Sequence, residues 1–245
     1  MIDADLIARF DDPPREYGPT PLWWWSGGKV TREGIRWQLQ RFTEGRIDNL
    51  VLMNLAPKGP TYGAAPDDPV WFSEEWWELF AYTCEVAREL GIKLWFYDQI
   101  GFSGANIQGQ ITARHPEAAG RAIRSREASV GEGCELPLLP REHLVGVYGE
   151  RLGEKGWRTL DWADGRVDAA PGTSVRIVTW EEKAFDYLDV DAVALLIDWV
   201  HGEFVRRVGD HVGTTIVGSF QDELPAMPTW SAGFCEAFEL SLIHI

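Results

Sequence analysis

Two rhythms of apolar and polar positions alternate along this chain. Pro21 to Trp25 is a short apolar run closed by Ser26-Gly27-Gly28, a strand followed by a turn. Thr31 is placed to cap a helix with Ile35, Leu39 and Phe42 on one face, and Gly45 stops it. Leu50-Val51-Leu52-Met53 is continuously apolar, as a buried parallel strand requires, and Asn54 stands at its end. Ser73 caps the next helix, with Glu74 and Glu75 in the turn where the helix dipole favours anions. Trp76, Phe80, Cys84 and Ala87 form its stripe, and Gly91 ends it. Ile92 to Tyr97 predicts a third strand, with Asp98 at its end. Asp189 caps a helix with Val193, Leu196, Ile197, Val200 and Phe204 on one face, ended by Gly209. Thr214 to Phe220 predicts a fourth strand, followed by Gln221-Asp222-Glu223-Leu224-Pro225, and a last helix starts near Thr229. Residues 1–19 are polar and Pro-rich and read as an extended lead-in.

Between Arg121 and Lys183 the helical period disappears. Alternating pieces such as Leu144 to Tyr148 and Val175 to Trp180 are divided by Gly, Pro and Asp turns. The expected organisation is therefore a catalytic α/β part over 1–120 and 184–245, with an inserted β-rich subdomain over 121–183. Strands alternating with helices predict a parallel sheet with right-handed crossovers. An open doubly wound sheet and a (β/α)8 TIM-type barrel both satisfy that pattern. No Gly-rich dinucleotide fingerprint follows any strand, since Gly101 to Gly104 lacks the third glycine. A barrel needs roughly 250 residues without insertions. The chain has 245 and only four strand units, so the expectation is an incomplete barrel, about its first four β/α units. The segment 241–245, Ser-Leu-Ile-His-Ile, reads as translated adaptor sequence and is expected to have no function.

Charge narrows the partners. A formal net charge of −15 repels phosphate backbones and anionic lipid, so neither nucleic acid nor a membrane surface is expected. No apolar run is long enough to span a bilayer, and no basic segment followed by an apolar run opens the chain, so a cytoplasmic location is expected. Cys84, Cys134 and Cys235 have no metal-ligand spacing, and Cys84 falls on an apolar stripe. The chain holds 13 Trp. Most should fill core, but a group of them at strand ends offers flat faces for the C–H faces of sugar rings.

In a (β/α) barrel, reactive groups sit where strands end at the C-terminal face. Those positions here are Trp24, Trp25 and Ser26, then Asn54, then Asp98 and Gln99, then Asp222 and Glu223. They comprise aromatics, a hydroxyl, amides and carboxylates, all compatible with a sugar. None of the five His stands at such a position, and His201 falls inside a helix, which argues against a His-ligated metal and a Ser-His nucleophile. Glycoside hydrolysis needs two carboxyl groups, one of them protonated. Glu223 is the candidate acid, and like-charge repulsion from Asp222 would raise its pKa. The same pair also reads as a solvated turn before Pro225. Asp98 could hold sugar hydroxyls, orient another group, bind a cation, or cap the Gly-rich turn that follows. Asn54 and Gln99 could bond hydroxyls or satisfy loop backbone.

Taken in order, Pro21 to Gly27, the helix from Thr31, Trp95-Phe-Tyr-Asp98, Phe102-Ser-Gly104, Asp186-Tyr-Leu188 and Phe220-Gln-Asp-Glu223 carry a resemblance. Together they resemble the barrel region of bacterial glycosyl hydrolases related to family 106 α-L-rhamnosidases, over about residues 18–240. That family's first strand ends Trp-Asn-Gly, its third Tyr-Asp-Glu before Trp-Pro-Ser-Gly, and its fourth Thr-Asp-Glu-Pro. This chain departs at Ser26, Gln99, Phe102 and Leu224. The resemblance implies Glu223 as general acid with Asp222 beside it. It implies substrate binding by Asp98, Gln99, Asn54, Trp24, Trp25, Ser26 and Ser103, an inverting mechanism, and a calcium ion near the sugar. The catalytic base would come from a strand beyond these four. Gln99 can bind but cannot transfer a proton.

The leading expectation is a glycosidase fragment, inactive as it stands, acting on rhamnoside-bearing polysaccharide side chains. A non-catalytic glycan-binding barrel of the same descent, or another sugar-processing barrel enzyme, fits the same residues.

Overall fold

A computed structural model describes residues 4–55, 63, 65–102, 106–136, 138–139, 142–150, 156–222 and 230–242. In chain order its helices are α1 (Ala4–Asp11), α2 (Arg32–Glu44), α3 (Glu74–Leu90), α4 (Gln110–Arg114), α5 (Val190–Leu196), α6 (Gly202–Val208) and α7 (Phe234–Leu242). Its strands are β1 (Leu22–Trp24), β2 (Asn49–Met53), β3 (Lys93–Tyr97), β4 (Ala119–Ser129), β5 (His143–Glu150), β6 (Trp157–Leu160), β7 (Trp162–Ala163), β8 (Arg166–Val167), β9 (Ser174–Phe185) and β10 (Ile216–Phe220). The fold is mixed α/β, with one parallel and two antiparallel sheets.

Two compact units divide the chain: 1–110 with 194–225, and 111–193 with 226–245. The β-rich unit thus begins ten residues before the expected boundary and takes residues 226–245, which the sequence pattern assigned to the other part. Trp230 shows the reason for the second difference. Its backbone exchanges two hydrogen bonds with Arg121 at the start of β4.

The first unit is built on a parallel sheet in the order β1-β2-β3-β10. Register assigns its faces. Trp23, Leu52 and Phe96 pair across β1, β2 and β3 and therefore share a face. That face carries the helices. Trp23 meets Phe42 of α2, Trp25 meets Trp76 and Phe80 of α3, and Phe96 stacks on Phe204 of α6 at 3.9 Å. Trp76 and Phe80 are buried and stacked at 5.0 Å, so Trp25 and six further rings from three helices and two strands make one continuous aromatic cluster. On the opposite face Trp24, Met53, Tyr97 and Phe220 form the corresponding row.

The caps act as the sequence requires. Thr31 Oγ1 accepts from the Gly34 amide at 3.1 Å and Ser73 Oγ from the Trp76 amide at 3.2 Å. Gly91 ends α3 with φ 76°, a conformation a side chain would strain. Two expectations need correction. The lead-in is helical over Ala4–Asp11, because Leu6, Ile7 and Phe10 follow a helical spacing. The helix from Asp189 is not one regular helix. Ile197–His201 forms a π-helical turn between α5 and α6, so Ile197 points to solvent while Ala192, Leu196, Val200, Phe204 and Val208 are buried.

In the second unit β4-β9-β5-β6 form an antiparallel sheet, and β7 with β8 a small hairpin. One face of the sheet packs Val147, Leu160, Val175 and Ile177 against Val130, Leu136 and Val167. On the other, the Trp180 ring lies between His143, stacked at 3.9 Å, and the Arg121 guanidinium at 4.2 Å. Both faces of that indole are therefore occupied.

Candidate functional site

The C-terminal ends of the four parallel strands hold the polar residues singled out above. Backbone bonds bring them side by side. Trp25 N–H donates to Met53 O at 2.8 Å, Gly101 N–H to Asn54 O at 3.2 Å, and Asp98 N–H to Phe220 O at 3.2 Å. Asp98 thus sits beside the point where β10 leads into Gln221 and Asp222. Asp222 is half-buried; Glu223 and Ser103 lie outside the described residues.

Asn54, Ser26 and Trp25 belong to the scaffold. Asn54 Nδ2 donates to Trp25 O at 3.0 Å and to Asp67 Oδ2 at 3.1 Å, and its Oδ1 accepts from Trp76 Nε1 at 2.8 Å. Ser26 Oγ donates to Asp67 Oδ1 at 2.6 Å and accepts from the Leu55 amide at 2.8 Å. Both Asn54 amide hydrogens and the Ser26 hydroxyl hydrogen are used in tying β1, β2 and α3 together. Trp25 is 2% exposed and packed among Trp23, Trp76 and Phe80, so its ring cannot stack on a ligand. Trp25 and Asn54, expected to contact substrate, are thus buried within this scaffold. Asp67 was not visible from the sequence, because it lies in a long loop with no periodic signal.

Asp98 and Gln99 behave differently. Asp98 is 5% exposed, and its Oδ2 accepts from His201 Nε2 at 3.1 Å. Its Oδ1 is buried and finds no hydrogen-bond partner among the described residues. Gln99 is fully buried, and its Oε1 accepts from the Tyr97 hydroxyl at 2.8 Å. Its Nε2 also has no partner among the described residues. Leaving such atoms unpaired costs about 1–3 kcal/mol each, and more for a charged group. Orphaned acceptors and donors at a strand end mark a place where a ligand or solvent would supply the bond.

Trp24 is the accessible aromatic of the strand-end group. It is 41% exposed, on the face away from the helices, with the Phe102 ring edge-on at 6.0 Å. Phe102 has φ 56°, an outlier for a bulky residue, and it packs on the cluster of Val51, Met53 and Tyr97. A pocket of about 190 Å³ opens between β1 and α2, lined by Trp24, Trp25, Ser26, Lys29, Thr31 and Gln38 among others.

Among the described residues no three His, Cys, Asp or Glu side chains converge as a metal site requires. No described helix is long and apolar enough to cross a membrane.

No family model matches the chain. A protein named "Putative beta-glucuronidase" from Formosa agariphila is 29% identical over 102 residues. That match covers 42% of this chain and 8% of that protein. Among solved structures, a rhamnosidase from Novosphingobium sp. PP1Y superposes with a TM-score of 0.61 at 12% identity. The superposition covers 97% of this chain and 41% of the rhamnosidase, so the chain spans well under half of either protein. The fold of this chain is accordingly one also found within a rhamnosidase, and both matched proteins carry glycosidase names.

Proposed function

We propose that this chain is part of a glycoside hydrolase of α-L-rhamnosidase type and carries one wall of its sugar-binding cleft. The observation that bears most weight is Asp98: a buried carboxylate at a strand end, with one oxygen held by His201 and the other buried without a partner among the described residues. Trp24 and Phe102 supply an aromatic surface in the same unit. The parallel strands lie in chain order without reversal, and α2, α3 and α6 cover one face. That arrangement supports a (β/α) barrel over a doubly wound sheet, where helices cover both faces and strand order reverses.

In this reading Glu223 is the general acid, with Asp222 beside it in sequence. A second carboxylate, spaced to admit water, serves as base for an inverting displacement. A glycan-binding role without hydrolysis is the second reading. It is favoured by Gln99, whose amide is sequestered with Tyr97 and cannot transfer a proton.

The test is to titrate the chain with L-rhamnose and D-glucuronate while following the indole resonance of Trp24. Saturable shifts at Trp24 support a sugar cleft on this wall. Unmoved Trp24 with both sugars sinks it. A longer protein containing this segment then separates the two readings: release of sugar that is lost in Glu223→Gln supports the hydrolase, and binding without release supports the lectin-like role.

A further inference from the structure

Between α5 and α6 the chain makes a π-helical turn over Ile197–His201. The Gly202 amide reaches back five residues to the Ile197 carbonyl. Such turns are rare, carry one residue more than an α-turn, and recur at functional sites. The turn has a visible consequence here. Ala192, Leu196, Val200, Phe204 and Val208 are all buried at a spacing of four. In a regular helix each step of four overshoots a full turn by ~40°, so the face would drift by ~160° over that length. The extra residue takes up ~100° of the drift.

That same residue insertion fixes where His201 stands. Its ring lies edge-on to Phe96 at 5.1 Å and its Nε2 meets Asp98 Oδ2 at 3.1 Å. Facing a carboxylate, which only accepts, Nε2 must carry the hydrogen. We propose that His201 is a positioning residue for Asp98, set in place by the π-turn, and that Asp98 Oδ1 thereby receives a hydroxyl hydrogen bond from a bound sugar. This rests on the sugar-cleft reading and adds to it a residue outside the strand ends. Three features converge: the irregular helix turn, the locked imidazole, and the orphaned second oxygen of a buried carboxylate. A purely structural His–Asp bond would explain the first two and leave the third costly.

The experiment titrates L-rhamnose into the full 245-residue chain, following Trp24 and the side-chain nitrogens of His201 by NMR. His201→Phe keeps the ring against Phe96 and removes the donor. His201→Gln keeps a donor. The expected result is weakening of about tenfold or more in His201→Phe and less than about threefold in His201→Gln, as loss of a charge-assisted bond implies. Should His201→Phe fail to fold, the wild-type spectrum decides: the Nε2 resonance shifts at saturation if Oδ1 gains a donor. His201→Phe binding like wild type, or an unmoved Nε2 at saturation, overturns the proposal and leaves the sugar cleft standing. An unmoved Trp24 in the wild type removes both.

Discussion

Asn54 Nδ2 donates to Asp67 Oδ2 across 3.1 Å and joins the end of β2 to the loop that precedes α3. Both residues are buried, at 2% and 4% exposure. Asp67 bonds Ser26 with its other oxygen, and Asn54 accepts from Trp76. Asn54, Ser26, Asp67 and Trp76 therefore form one hydrogen-bonded network over the aromatic core, which leaves the buried Trp25 Nε1 without a partner among the described residues.

Asn54→Ala is expected to destabilise the chain by about 1–3 kcal/mol, since it strands Trp76 Nε1 inside the protein and removes a bond to Asp67. Asn54→Asp should be at least as harmful, because a second carboxylate would face Asp67 without a donor. Urea unfolding of the two variants checks the order. A change under about 0.5 kcal/mol for Asn54→Ala, the size of an ordinary surface substitution, would show that the network is not stabilising.

Much of this unit was legible in the sequence. Thr31, Ser73 and Gly91 bound their helices through local hydrogen bonds and a positive φ, which need no tertiary context. The four parallel strands were visible as apolar runs. What the pattern could not supply was which face each Trp takes. Trp23, Trp24 and Trp25 are consecutive and chemically identical, and only pairing with β2 separates the middle ring from its neighbours. His201 was hidden for a related reason. A period of 3.6 was assumed, whereas the buried residues repeat at four because of the π-turn. A run of apolar residues at strict spacing of four was the available signal.

Trp24 and Trp25 should therefore respond in opposite ways. Trp25→Ala removes a ring buried against Trp76 and Phe80 and is expected to cost about 3–5 kcal/mol. Trp24→Ala, at a half-exposed ring, should cost much less but abolish any sugar-dependent shift. Thermal melts and L-rhamnose titrations of both variants check this. Equal destabilisation would contradict the face assignment.

Burial pushes the Cys84 thiol up to about 12, with Glu85 adding to the effect. Cys235 is exposed and free. At pH 8 an alkylating reagent should label Cys235 in the native protein and reach Cys84 only on unfolding. The raised value also fixes a sign. With the thiol neutral in both states below the ordinary value of 9.0, nothing is lost there. Above it the unfolded chain releases the proton first. Stability should then fall by about 1.4 kcal/mol per pH unit until the folded thiol ionises near 12. Replacing Cys84 with Ala should remove that component, although the cavity itself lowers stability at every pH.

Glu142 gives the opposite dependence. The Arg126 guanidinium grips it at 2.9 and 3.0 Å, the Leu139 amide adds a third bond, and its carboxyl is held below the usual value of 4.5 chiefly by the bond to Arg126. The folded carboxylate is thus favoured over the unfolded one. Its contribution is fully present above 4.5 and disappears as pH falls through the lower folded value. Glu142→Gln keeps the shape and removes the charge. The stability gap between wild type and this variant should be widest near pH 7 and close as pH falls below 4.5. Comparing the two proteins cancels the titration of other carboxylates, so urea midpoints at pH 7, 5 and 3 suffice. A gap that stays constant over this range would mean that shape and hydrogen bonding, not the charge of Glu142, hold Arg126 and the Leu139 turn together.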